Sequence, residues 1–163
     1  MILGIDPGLA STGFGAITCG KSPSLLRCGH ITTSPRDQIT IRLRQIHDDV
    51  DRLLDETKPG LVAIENVFSL VRYPKAGILL GTVLGVLYLA LAVRDVPVVD
   101  VTPREVKNSL AGYGGANKRQ VRDAVKGILA IGDLSSFHAA DALAVALTAF
   151  YRSMPGRLYD RIP

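Results

Sequence analysis

At 163 residues, with 47% hydrophobic and 21% charged side chains, the chain is long enough for one domain with a real core, and this composition excludes disorder. Nineteen Lys and Arg against fifteen Asp and Glu leave a net charge of +4, a mild excess that fits nucleic acid but many unrelated partners too. Cys19 and Cys28 are the only cysteines and lack the paired spacing of a zinc site, so two reduced thiols in a reducing compartment are expected.

Met1 leads straight into Ile2-Leu3-Gly4-Ile5-Asp6 with no basic n-region, so no secretory signal is read and a cytoplasmic location is expected. That apolar run closes on a carboxylate ahead of Pro7-Gly8. Gly13 to Thr18 and Leu25 to Thr32 read as strands parted by the Gly20-to-Ser24 turn cluster, giving an antiparallel meander. Ile39, Leu43, Ile46, Val50, Leu53 and Leu54 recur at helical spacing until Pro59-Gly60 ends the helix. Leu61 to Ile64 is a buried strand that stops at Glu65.

Ser69 to Tyr73 reads as a loop, and Pro74 suits the first turn of a second helix. Its apolar run, Ile78 to Val93, falls short of the about 20 residues that span a bilayer, so a buried helix and no membrane are expected. Gly77, Gly81 and Gly85 form a stripe at intervals of four, which lets another backbone come close, either within the chain or from a second copy. Val96 to Val101 predicts a fifth strand, and Pro103 opens a short helix. Asn117 is a credible N-cap for a helix over Lys118 to Ala130. A last helix starts after Ser135 or Ser136 and runs through Ala149. Residues 1–152 then form one domain and 153–163 a loose tail. The order β-β-β-α-β-α-β-α-α-α predicts an α/β fold, a mixed sheet flanked by helices.

A charge on the last residue of a buried strand is costly unless it meets water, a partner or a metal. Open α/β sheets place ligand sites at the carboxyl ends of their strands. Asp6 and Glu65 therefore look like site residues. His138 and Asp141 share a face of the last helix. If that helix crosses the two strand ends, three carboxylates and an imidazole meet. Such a set suits hard divalent cations, Mg²⁺ or Mn²⁺. Two ions about 3.5–4 Å apart stabilise both oxygens of a phosphodiester displacement. Each residue also has a plainer reading. Asp6 could cap the Pro7-Gly8 turn, Glu65 could pair with an Arg, Asp141 could complement a helix N-terminus, and His138 could simply face solvent.

Gly4-Ile5-Asp6-Pro7-Gly8, Ala63-Ile64-Glu65-Asn66-Val67-Phe68 and His138-Ala139-Ala140-Asp141-Ala142-Leu143-Ala144, with Val106-Lys107 and Asn117-Lys118, resemble RuvC-type Holliday-junction resolvases of the ribonuclease H-like superfamily. The resemblance spans nearly all of residues 1–150. It implies a ribonuclease H-like mixed five-stranded sheet flanked by helices and a homodimeric endodeoxyribonuclease dependent on Mg²⁺ or Mn²⁺, one or two ions per subunit. Such an enzyme nicks two opposing strands of four-way junction DNA symmetrically, leaving 5′-phosphate ends. A branch-migration motor complex is a further partner left open. Asp6, Glu65 and Asp141 match the family's carboxylate ligands. His138 falls where many members carry a fourth carboxylate and some a histidine, either a ligand or a proton-transfer group.

Arg104, Lys107, Lys118, Arg119, Arg122 and Lys126 crowd around the glycine-rich loop, as a solvated face or as phosphate contacts. The resemblance favours DNA binding, with Lys107 and Lys118 foremost. It also turns Phe68, otherwise a plausible core residue, into an aromatic that stacks on an unpaired junction base, with Arg72 and Tyr73 following. The rivals are another ribonuclease H-like nuclease on the same scaffold and a junction binder that does not cleave.

Overall fold

The computed structural model describes residues 1–66, 74–134 and 136–154. Five strands form one sheet: β1 (Ile2–Asp6), β2 (Ser11–Cys19), β3 (Pro23–Thr32), β4 (Leu61–Glu65) and β5 (Val98–Val101), in the order β3-β2-β1-β4-β5. The β1–β2 and β2–β3 pairs are antiparallel, as a meander requires, whereas β4 lies parallel to both β1 and β5. Between them run α1 (Ile39–Thr57) and α2 (Pro74–Val93), and after β5 come α3 (Pro103–Ala111), α4 (Lys118–Leu129) and α5 (Phe137–Arg152). The predicted element order is the observed one.

The boundaries differ where pairing outweighs local propensity. The β2–β3 ladder reaches back to Ser11 and starts at Pro23, with a register shift at Ala16/Ile17. Proline is tolerated there because β3 is an edge strand and Pro23 is its first residue. Strand β5 begins at Val98 rather than Val96, whose amide instead bonds Leu91 O behind α2.

Strand alternation divides the core in two. Leu3, Ile5, Val62 and Ile64 point to one face, where Ile46, Val50, Leu53 and Leu54 of α1 and Val83, Leu87, Ala90 and Leu91 of α2 cover them. Ile2, Ile17 and Ala63 point to the other, against α4 and an α5 buried along almost its whole length. Asp6 has the parity of Ile2, and Glu65 that of Ala63. Both carboxylates therefore project toward α5.

Helix α2 corrects the expectation of a buried helix. Only one side packs on the sheet, while Ile78, Leu79, Leu89 and Val93 are exposed, Ile78 at 69% and Leu89 at 60%. At 20 residues with a mean hydropathy of 2.3 it is also long and apolar enough to cross a membrane by those two measures alone, because the helix starts at Pro74. Two glycines of the stripe are not packed within the described part of the chain either: a Cβ at Gly81 or Gly85 would meet nothing within 4 Å among the described residues.

Candidate active site

Close packing of α5 on the sheet builds the site, and strand glycines make that packing possible. A Cβ on Gly4 would strike the Ala142 carbonyl, one on Gly13 the His138 carbonyl, and one on Gly15 the Leu143 side chain at 2.6 Å. Sequence reading passed over these three glycines. Glycine inside a strand marks a place where another backbone comes close, and that signal was available. Gly13 pairs with Asp6 across the β1–β2 ladder. The turn of α5 that sits on Gly13 thus brings His138 beside Asp6.

Two capping motifs set the surrounding helices. Thr102 and Glu105 form a capping box for α3, with Pro103 in the first turn, and Asn117 and Gln120 form another for α4. Ser136 caps α5 through the Ala139 amide. These ends put Lys107 and Lys118 around the mouth of the site.

The β1–β4 register runs Ile2 opposite Leu61 through Ile5 opposite Ile64. One residue further on, β1 and β4 end as neighbours in Asp6 and Glu65, close enough for the Asp6 charge to raise the Glu65 carboxyl. His138 Nδ1 lies 3.1 Å from Asp6 Oδ2, and Lys118 Nζ donates to Asp141 Oδ2 at 3.1 Å. Asp6, Glu65, His138 and Asp141 line one cleft of about 430 Å³ together with Lys107, Lys118, Pro103, Val106 and Val121. On the rim, the Asp100 carboxylate accepts from Tyr88 Oη at 2.6 Å and from Asn66 Nδ2 at 3.3 Å, tying the residue after Glu65 to α2.

The electrostatics show what this cleft lacks. Burial, then the neighbouring Asp6 and Asp141, pushes the Glu65 carboxyl up to about 7. Asp6 is raised as well, chiefly by burial, with His138 pulling the other way. The charge of Asp141 lifts the Lys118 ammonium above the ordinary lysine range. Carboxylates crowded out of water titrate upward in this way when too little positive charge faces them. Asp6 meets an imidazole, and Glu65 neighbours a second carboxylate with no arginine partner among the described residues, while His138 keeps 48% of its side chain exposed.

Three carboxylates with one imidazole suit a hard divalent cation, and the unmet negative charge is what such an ion would answer. Among the described residues no three ligand side chains are already gathered around one point. Asp6 is engaged by His138 and Asp141 by Lys118.

The basic residues fall into two groups. Lys107 and Lys118 line the cleft, and Arg104 and Arg119 are exposed near it. Lys126 instead pairs with Asp133, and Arg122 Nη2 donates to Leu134 O at 2.7 Å. Phe68, Arg72 and Tyr73 lie outside the described residues.

Residues 2–149 match the family described as Crossover junction endodeoxyribonuclease RuvC. The chain belongs to the RuvC family. It is 40% identical over 149 residues to a RuvC from Actinobacillus succinogenes, covering 91% of this chain and 77% of that one. A RuvC from Natranaerobius thermophilus is 38% identical, over 90% of this chain and 92% of its own. Among solved structures, Thermus thermophilus RuvC superposes with a TM-score of 0.85 at 37% identity, covering 93% and 94% of the two chains. The same protein in complex with Holliday junction substrate gives 0.87, covering 93% of each. The mixed five-stranded sheet flanked by helices is the RuvC fold, as the motifs led us to expect.

Proposed function

We infer that this RuvC-family chain is a Holliday-junction resolvase, an endodeoxyribonuclease that nicks two opposing strands of a four-way junction, and that Asp6, Glu65, Asp141 and His138 are its catalytic set. The observation that carries the site assignment is that β1 and β4 end as neighbours in Asp6 and Glu65, with His138 and Asp141 lowered onto them by α5. Mg²⁺ or Mn²⁺, one or two ions per subunit, would supply positive charge to polarise a water and steady the leaving oxygen.

The chain's own residues do the rest. Asp6, Glu65 and Asp141 offer oxygens, and half-burial keeps them poorly hydrated, so they gain most from a cation. His138 holds Asp6 through Nδ1, which leaves Nε2 as the nitrogen able to take a proton near the scissile phosphate. Lys118 balances Asp141 until DNA arrives and then serves a phosphate. Lys107 flanks the same path, with Arg104 and Arg119 outside it, and Phe68, Arg72 and Tyr73 complete the DNA contacts. Residues 1–152 act as the nuclease domain, in the cytoplasm.

Two equivalent nicks call for two equivalent sites, which a two-fold dimer provides. Ile78, Gly81, Gly85 and Leu89 lie along one side of α2, apolar and exposed, and a second copy would cover them. A labelled four-way junction incubated with Mg²⁺ or Mn²⁺ tests the whole reading. Paired symmetric nicks by the parent and none by Glu65→Gln are expected. Preference for an RNA–DNA hybrid would move the assignment to another nuclease of this fold, and binding without nicking would leave a junction binder.

A further inference from the structure

We propose that Phe137 is a stacking platform for an unpaired nucleobase next to the scissile phosphate, a role that rests on the junction-nuclease reading above. Phe137 is the first residue of α5 and directly precedes His138, yet it is 69% exposed. A phenylalanine gains nothing from water, and the ring here is held in place rather than loose. It lies over the Arg122 guanidinium, 4.8 Å from the guanidinium carbon to the ring centroid. Arg122 is fixed in turn by its bond to Leu134 O, and its Nε is buried with no acceptor among the described residues. One face of the ring is thus backed by a fixed cation, and the exposed remainder is available to a ligand.

The surroundings specify that ligand. Phe137 opens onto a cavity of about 420 Å³ between α4 and α5, whose polar lining is Lys118, Arg119, Arg122 and Asp141. Three of those four are cations, and the single carboxylate already pairs with Lys118. Lys118 and Asp141 also line the catalytic cleft, so the two spaces adjoin across these side chains. An aromatic face flanked by basic side chains is how proteins hold single-stranded nucleic acid, the ring taking a base and the cations its phosphates. A base inside a continuous duplex has both faces covered by its stacked neighbours, whereas an unpaired base can swing out and expose one. The ligand is therefore a base unpaired where strands exchange, and its capture would fix which phosphodiester reaches His138 and Asp6.

The chain contains no tryptophan, so Phe137→Trp creates a single fluorescent reporter at the platform. In EDTA, so that the strands stay intact, a saturating four-way junction should quench its emission at least about twofold, and a linear duplex of the same sequence far less. With metal, Phe137→Ala should lower kcat/KM for junction nicking roughly five- to tenfold, the low end of what a base–aromatic stack contributes, and Phe137→Trp should restore it. Emission unaltered by bound junction, or Phe137→Ala nicking at the parent's rate, overturns the stacking role alone. Quenching by a Glu-rich peptide instead of the junction overturns it in favour of a protein partner. Failure of the parent to nick any junction removes the nuclease reading and this role with it.

Discussion

His138 Nδ1 lies 3.1 Å from Asp6 Oδ2, joining the start of the last helix to the end of the first strand. An imidazole at this position gives the site a softer donor than a fourth carboxylate would. His138→Asp should therefore raise activity in Mg²⁺ relative to Mn²⁺. Junction nicking rates measured in each metal check this, and an unchanged Mn²⁺/Mg²⁺ ratio would count against His138 as a ligand.

Without metal the same crowding makes stability depend on pH. Glu65 rises from 4.5 to about 7 on folding, so ionising it costs more in the folded than in the unfolded chain. The penalty is absent below pH 4.5, grows as pH rises, and is complete above about 7. Melting temperature in EDTA should fall between pH 5 and pH 8, and Glu65→Gln should flatten the fall. Mn²⁺ should restore stability more at pH 8 than at pH 5. A metal-free protein equally stable across that range would contradict the electrostatic account.

The glycines under α5 should tolerate no side chain. Gly13→Ala drives a methyl into the His138 carbonyl, so α5 must lift. Overpacking of this kind costs about 1–3 kcal/mol, or roughly 2–4 °C per kcal/mol in a domain of this size. Nicking should drop more steeply than stability, because the lift separates His138 from Asp6. Gly127→Ala in α4 is the contrast: nothing among the described residues lies within 4 Å, and about 1 kcal/mol of helix propensity should be gained. Thermal melts of the two variants decide it.

Leu89→Arg places a charge on the exposed apolar side of α2 without touching the core. Light scattering at micromolar concentration should show a dimer for the parent and a monomer for the variant. The variant should still bind a junction but lose paired nicking. A parent that is already monomeric would rule out the two-fold arrangement.

Lys118→Ala should make junction binding less salt-sensitive. A cation that no longer neutralises its phosphate lowers the slope of log K against log[salt] by about 0.7–0.9. Lys107→Ala should do the same, whereas Lys126→Ala should not, since Lys126 is spent on Asp133. Anisotropy titrations across salt concentrations separate the three.

The sequence by itself determined which segments become strands and helices and which residues could do chemistry. Alternation along β1 and β4, the caps at Asn117 and Ser136, and carboxylates closing apolar runs are local features, set by residues near one another in the chain. Asp6, Glu65, His138 and Asp141 could be singled out as candidates for that reason. What only the tertiary structure decided was how distant segments meet: that β4 docks parallel to β1 in the register placing Glu65 beside Asp6, that Gly4, Gly13 and Gly15 rather than the α2 glycines carry the close backbone approach, and that α2 keeps an apolar side uncovered. Register and helix placement come from the packing of two whole faces of a sheet, and no single stretch of residues encodes that balance.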